Sequence, residues 1–398
     1  EHVSDPEAMF SVRRLDCSPG LSSLLRKKIS MAFSVVLLAA LACGPAATPP
    51  MVATSNPSPS PAPASERRSQ EGVLPAPRPI ALPADDASHD VTTEWWYYNG
   101  HLKGEGDRDY GFELVVFKRQ GTQGRHGYVG HMAVIDHRRK LFQFSEEIAL
   151  PSPPPRIEGR FDVRAGDVQA TGGGGQDAIV GSTRDYSLKL TLAGQRPAVL
   201  HGKSGYIGVS GREASYYYSR TRMRVQGVIV DHGGRVPVTG LAWMDHQWGD
   251  FTLQGDGGWD WFSVQLEDGA DMMVSLIRDG RGDPVLSYGT LVDQEGHSRH
   301  LASEEFTVQA TGSWRSPVTG VEYPMGWTLS VPAQNIALRL DPVLRDQEMD
   351  TSASVGRVYW EGEVFVTGTV KGQAVKGLGY VELTGYDRKP WPSGLGQG

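Results

Sequence analysis

From about residue 84 onward, apolar and polar positions alternate in short runs, cut every ~8–12 residues by Gly, Asp-Gly or Pro. Tyr110–Lys118, Tyr128–Ile135, Tyr186–Leu192, Met223–Val230, Asp271–Ile277 and Val364–Val370 are such runs. A period of two is that of a strand, whose successive side chains point to opposite faces. No stretch carries an apolar stripe at helical spacing over a dozen positions. Long meanders of short strands escape bare edges by closing on themselves, so the expected class is all-β and antiparallel, a barrel or sandwich.

The strand pattern also repeats. Trp95-Trp96-Tyr97-Tyr98 with Leu102 aligns with Trp259-Asp260-Trp261-Phe262 with Leu266, and Phe112–Arg119 aligns with Asp271–Arg278. Tyr218, Met223, Val225 and Gly227 align with Tyr359, Val364, Val366 and Gly368. Gly240-Leu241-Ala242-Trp243-Met244-Asp245 then aligns with Gly377-Leu378-Gly379-Tyr380-Val381-Glu382. Four blocks recurring in one order predict two similar β-domains, 84–235 and 236–398, with strands exchanged across the boundary as an allowed variant.

The region before residue 84 has a different character. Arg26, Lys27 and Lys28 precede an apolar run, Met31 to Cys43, that ends in small residues, the layout of a secretory signal. Ala40-Leu41-Ala42-Cys43 resembles a lipoprotein processing box, which would place a lipid anchor on Cys43; plain cleavage after Ala42 is the alternative. Residues 1–43 are therefore expected to be a signal region. Residues 44–83 hold 11 of the 26 prolines and no apolar periodicity, as an extended tether does. Export to the cell envelope follows as the expectation.

Composition narrows the chemistry. With 39 Lys+Arg against 46 Asp+Glu the chain lacks the basic excess of a nucleic-acid-binding surface, and two cysteines cannot build a disulfide framework. The run Gly172–Gly175 has no Lys-Ser/Thr after it, Ser204 and Ser215 sit in no nucleophile elbow, and His101, His126, His131 and His137 lack metal-ligand spacing, so no cofactor or metal is expected. Instead Asp245, His246, Gln247, Trp248 and Asp250 crowd together just before Trp259-Asp260-Trp261, where the second copy reads Leu383-Thr384-Gly385-Tyr386. On a strand Trp243, Asp245 and Gln247 share one face, while Met244, His246 and Trp248 share the other. A carboxyl buried beside indoles stays protonated, as a general acid must. A turn-capping Asp245 among core tryptophans is the plainer reading of the same residues. Glu94 at the start of the first aromatic strand lines a cavity mouth or simply caps the strand.

At these motifs the chain resembles the AttH-like, lipocalin-like family that includes carotenoid 1,2-hydratases. The carriers are Glu94-Trp95-Trp96-Tyr97-Tyr98-Asn99-Gly100-His101-Leu102, Tyr217-Tyr218-Ser219 with Arg222-Met223, Ala242-Trp243-Met244-Asp245-His246-Gln247-Trp248-Gly249, and Tyr359-Trp360-Glu361-Gly362 with Gly379-Tyr380-Val381-Glu382-Leu383-Thr384-Gly385-Tyr386. The resemblance implies two tandem calycin-type antiparallel β-barrels and an apolar cavity for an isoprenoid, polyene or lipid. In the hydratases an acid protonates an alkene and water captures the tertiary cation, without a cofactor. Their aromatic-x-Asp pair is matched by Trp243-x-Asp245, whereas their His-x-Trp pair would fall at Tyr216-x-Tyr218. The implied site has Asp245 as proton donor, oriented by His246 or Tyr218. Glu94, Trp95, Tyr97, Tyr216, Trp243, Trp248, Trp259 and Asp260 would line it. Two functions remain open at this point: a hydratase- or isomerase-type enzyme, and a non-catalytic carrier of apolar ligands at the envelope.

The export expectation is checked by N-terminal sequencing of the native product. The mature chain should start at or just after Ala42, or carry a blocked, acylated Cys43; a product retaining Leu37–Leu41 refutes it.

Overall fold

The alternating runs all become strands. The computed structural model describes residues 77–120, 126–149, 157–210, 213–251 and 257–389. The signal-like segment, Cys43 and the tether up to residue 76 lie outside the described residues. In chain order the first sheet contains β1 (Thr93–Lys103), β2 (Asp109–Gln120), β3 (His126–Asp136), β4 (Leu141–Ala149), β5 (Phe161–Ala165) and β6 (Val168–Gly172). It continues with β7 (Gln176–Ser182), β8 (Tyr186–Gly194), β9 (Val199–Leu200), β10 (Tyr206–Ser210), β11 (Glu213–Asp231) and β12 (Gly234–Gly249). The second half supplies β13 (Gly258–Leu266), β14 (Asp271–Arg278), β15 (Pro284–Val292), β16 (Ser298–Leu301), β17 (Thr307–Ala310) and β18 (Ser313–Arg315). After these come β19 (Glu322–Pro324), β20 (Trp327–Val331), β21 (Ile336–Pro342), β22 (Glu348–Thr351), β23 (Arg357–Val370) and β24 (Gln373–Leu383). Among the described residues there is no α-helix, only short 3-10 turns, and no helix long and apolar enough to cross a membrane.

Every ladder is antiparallel. The first sheet runs β4-β3-β2-β1-β12-β11-β8-β7-β6-β5 and curls until β5 and β6 pack back against β2, β3 and β4, a nearly closed barrel. The second runs β16-β15-β14-β13-β24-β23-β21-β20-β17. The two orders match strand for strand at their centres: β2-β1-β12-β11 in one, β14-β13-β24-β23 in the other. The repeat is thus a repeat of sheet topology. Because β12 pairs with both β1 and β11, the sheets divide after Gly249, not at 235/236. The expected tether also ends early. Ile80 packs on the first core, Arg78 pairs with Asp85 at 2.6 Å, and the turn Ala84–Asp86 buries two carboxylates.

Each barrel has its own core, the first around Trp96, Tyr98, Phe112, Met132 and Trp248, the second around Phe262, Trp327, Trp360 and Val381. A third cluster lies between the sheets and joins Tyr97, Val115, Tyr217, Trp243, Trp261, Met273, Tyr288 and Tyr380. The central strands are therefore buried on both faces, which is why Trp95-Trp96-Tyr97-Tyr98 breaks clean alternation. In β1, β2 and β12 even-numbered residues face the first barrel and odd-numbered residues face this seam. In β11 a bulge between Arg220 and Met223 reverses the parity. Tyr218 points into the barrel before it, Met223 and Val225 after it.

The bulge also corrects the repeat alignment. Ser219 lies opposite Asp245 and Glu361 lies opposite Glu382, so Tyr217 and Ser219 correspond to Tyr359 and Glu361, while Met223 still corresponds to Val364. The first copy carries one extra residue there.

The seam closes most tightly at Gly111. A Cβ there would lie 2.3 Å from Glu363 Oε2 and 2.7 Å from the Tyr380 hydroxyl. Glu363 cannot swing aside, since His101 Nδ1 and His137 Nε2 each hold one of its oxygens at 2.6 Å. Gly111→Ala should therefore cost about 1–3 kcal/mol in urea unfolding. Gly208→Ala, with nothing within 4 Å of its Cβ, should change stability by less than about 0.5 kcal/mol. Equal stabilities would refute the close approach.

Candidate functional site

Strand parity separates the sequence-predicted site into three places. Glu94, Tyr218, His246 and Trp248 lie inside the first barrel, with Tyr216 half-buried at its mouth. Trp95, Tyr97, Trp243, Asp245 and Trp259 face the seam. Asp260 lies on the other face of β13, paired with Arg278 at 2.7 Å and with the Tyr386 hydroxyl at 3.0 Å.

The barrel group is a satisfied polar network. Glu94 Oε1 meets His246 Nε2 at 2.9 Å and His89 Nδ1 at 2.8 Å, and Glu94 Oε2 meets the Lys118 ammonium at 2.6 Å. Burial pushes the Glu94 carboxyl up, but the bonds from His246 and His89 and the nearby Lys118 charge outweigh it and hold the carboxyl ionised. His89 stacks on Trp248 at 4.1 Å, and Trp248 in turn on Tyr216 at 5.5 Å. Tyr218 donates to Asp86, which also takes Arg220 at 3.0 Å. His89, Glu94 and His246 have the mutual spacing of a metal-ligand set. The Lys118 ammonium on the same carboxylate already supplies the positive charge, so the set is accounted for as an ion-pair network.

The seam group has a different character. The Asp245 carboxyl is 4% exposed and accepts from the Tyr217 hydroxyl at 2.7 Å, from Trp243 Nε1 at 2.7 Å and from Ser219 Oγ. No cation among the described residues pairs with it. Burial pushes its pKa up to about 6 against the pull of Ser219, Tyr217 and Trp243. His201 stands behind Ser219, with Nε2 2.5 Å from Ser219 Oγ and Nδ1 2.9 Å from Thr290 Oγ1. The residues implied to orient Asp245, His246 and Tyr218, touch the barrel network instead; one strand cannot present residues 245 and 246 to the same side. Tyr217 and Ser219 hold Asp245. They are the odd-numbered neighbours of Tyr218 on the cross-strand partner, so the motif contained them at the right spacing.

Besides Glu363, which His101 and His137 hold, three further carboxyls share the seam and lie outside the sequence-predicted site. Glu361 accepts from Tyr97 at 2.7 Å, Glu382 accepts from Trp259 Nε1 at 2.9 Å, and both Glu113 oxygens are buried without a partner. Burial, then repulsion from Glu382, drives Glu361 and Glu113 well above the carboxylate range, and burial lifts Glu382 to about 7. Half-buried Trp95, Phe117, Phe142, Trp259, Ile277 and Leu286 pack around this group. The seam is thus an aromatic-walled cluster of carboxyls whose proton affinity burial raises, and such perturbed groups mark candidate proton donors and acceptors.

Comparison with known proteins agrees with this architecture. The AttH-like family model matches residues 73–386. The crystal structure of an AttH-type protein from Nitrosomonas europaea is 31% identical, covers 79% of this chain and 99% of that one, and superposes with a TM-score of 0.71. Kievitone hydratase from Nectria haematococca shares the fold at 16% identity and a TM-score of 0.65, covering 77% of this chain and 93% of that one. Among curated sequences, kievitone hydratase of Fusarium solani subsp. phaseoli is 25% identical over 44% of this chain and 50% of its own length. A dehydratase of Emericella nidulans is 19% identical over 52% of this chain and 60% of its own. The chain thus spans about half the length of the curated relatives it matches.

Because the folded state binds the Asp245 proton more tightly than the unfolded chain, Asp245 subtracts stability as pH rises from about 4 to about 6, and the loss persists above. Asp245→Asn, which keeps the shape, should flatten that part of the pH–stability curve. Urea titrations at closely spaced pH values check this, and a variant curve parallel to wild type would refute it.

Proposed function

This chain belongs to the AttH-like family, and on that footing we propose that it hydrates, or in reverse dehydrates, an apolar isoprenoid- or polyene-type molecule held in the seam. The observation that carries the reading is the Asp245 carboxyl, buried among Trp243, Trp261 and Tyr217 and held by hydrogen bonds alone. In the protonated form it is the acid that an unactivated alkene needs. Transfer of its proton to one alkene carbon leaves a tertiary cation on the other, and water closes on that cation. The surrounding rings favour the cation by about 2 kcal/mol where it is desolvated. Two relatives in the comparison bear the names hydratase and dehydratase, the two directions of one reaction.

Export and a lipid anchor at Cys43 belong to the same proposal and rest on residues 23–43. That segment also supports a second reading, a carrier that holds an apolar lipid at the envelope and transforms nothing.

The test offers the full chain acyclic trisubstituted alkenes of the isoprenoid class and conjugated polyenes, in water enriched in oxygen-18. The expected product is a labelled tertiary alcohol. Asp245→Asn should lower kcat by about 10²–10⁴ while quenching of tryptophan fluorescence shows ligand binding unchanged. Full activity in Asp245→Asn refutes acid catalysis by this group. No turnover by either protein, with the same co-purified lipid on both, selects the carrier.

A further inference from the structure

The repeat places a second acid where the first copy has Asp245. Trp243-x-Asp245 closes β12, and Tyr380-x-Glu382 closes β24 at the corresponding position. In register, Asp245 lies between Tyr97 and Ser219, and Glu382 lies between Trp261 and Glu361. The residue beside each acid then reaches across the seam. Trp261, beside Glu382, donates Nε1 to the Tyr217 hydroxyl at 3.0 Å, and that hydroxyl donates to Asp245 at 2.7 Å. Tyr97, beside Asp245, donates to Glu361 at 2.7 Å, the cross-strand neighbour of Glu382. Two reciprocal links therefore set the two acids on opposite walls of one site. Glu382 Oε2 takes Trp259, while Oε1 has no protein hydrogen bond among the described residues. Glu382 is half-buried.

We propose that Asp245 and Glu382 form an acid–base pair, Asp245 giving its proton to the alkene and Glu382 taking the proton that the attacking water sheds. The inference rests on the hydratase reading of the same site. In hydration the Asp245 O–H bond breaks and a C–H bond forms. The water oxygen then bonds the cation, and its proton passes to the Glu382 carboxylate. The pair ends with one proton, as it began, now on Glu382, and its return to Asp245 through solvent resets the site. In dehydration Glu382 protonates the departing hydroxyl and the Asp245 carboxylate removes the C–H proton. Each direction starts from the state in which the other ends. The environments place the shared proton mainly on Glu382, the state from which dehydration starts, and hydration proceeds from the minor state with the proton on Asp245. Three donors hold Asp245 at about 6, whereas Glu382, with one donor, stands at about 7. The other titratable groups around the pair include Glu113 from β2, Glu361 and Tyr359 from β23, Tyr97 from β1, Tyr217 from β11, His201 behind Ser219, Tyr288 from β15 and Tyr380 from β24. Burial raises the two glutamates and the tyrosines above their ordinary values and pushes His201 down to about 3.

The test compares full-length wild type, Asp245→Asn, Glu382→Gln and Glu382→Asp in the oxygen-18 assay across pH. Wild type should give a bell-shaped kcat profile whose two limbs belong to the pair. Glu382→Gln should lose about 10²-fold or more in kcat with KM within about twofold, and should lose the acidic limb; Glu382→Asp should restore a bell at reduced height. Wild-type kcat and an intact bell in Glu382→Gln, with Asp245→Asn inactive, overturn the pair and leave the Asp245 reading standing. A lowered kcat with the bell intact assigns Glu382 a structural role and also overturns it. Wild-type activity in both Asp245→Asn and Glu382→Gln removes the hydratase reading itself. A measurement without substrate completes the test: the Glu382 titration, isolated as the infrared difference between wild type and Glu382→Gln, should move to lower pH when Asp245→Asn is added to both proteins. An unmoved midpoint overturns the pairing.

Discussion

The central strands of this protein run between two cores, and their alternation decides which side chains meet. β1, β2, β11 and β12 send one set of residues into the first barrel and the other into the seam, where β13, β14, β23 and β24 do the same from the opposite side. Trp261 on Tyr217 and Tyr97 on Glu361 tie the two faces together and fix the register of everything between them. A one-residue slip in either sheet would exchange the seam set for the barrel set.

The two buried polar groups illustrate opposite solutions to one cost. Taking a carboxylate out of water is expensive unless charge or hydrogen bonds compensate. Inside the first barrel Glu94 is compensated by the Lys118 ammonium and two histidines, and it rigidifies the entry of the chain through His89 and Asp85. In the seam no cation among the described residues pairs with Asp245, Glu113, Glu361 or Glu382; hydrogen bonds hold Asp245, and burial raises the proton affinity of all four. Such carboxyls cost stability when ionised and gain chemistry when not. Networks of the first kind hold a fold, and clusters of the second kind mark sites.

Divergence of the two copies follows the same division. Both keep an aromatic-x-acid motif at the end of the closing strand, both aimed at the seam. The barrel interiors have parted: the first holds the Glu94 network, the second is lined by Phe262, Trp327, Trp360 and Val364. The one-residue bulge in β11 marks the change, because it lets Tyr218 and Arg220 serve the polar mouth of the first barrel while Met223 and Val225 fill its core.

Much of this was legible in residue order. Period-two alternation, the turn signals and the two copies of four aligned blocks specify antiparallel strands in two similar sheets. The family motifs point to Trp243-x-Asp245, since each of these properties is local or compares one stretch of chain with another. The contents of the site were not legible in the same way. Alternation shows that residues 245 and 246 face apart but not which face meets another sheet, so His246 and Tyr218 were joined to Asp245 when Tyr217 and Ser219 are its partners. Glu113, Glu361 and Glu382 lie more than a hundred residues from Asp245, and only the packing of sheet on sheet brings them to it. The end of the tether is not local either: Arg78 and Ile80 find their partners in Asp85 and a distant core. Strand, turn and repeat are written in neighbouring residues; the meeting of buried acids depends on which surfaces the folded chain lays against each other.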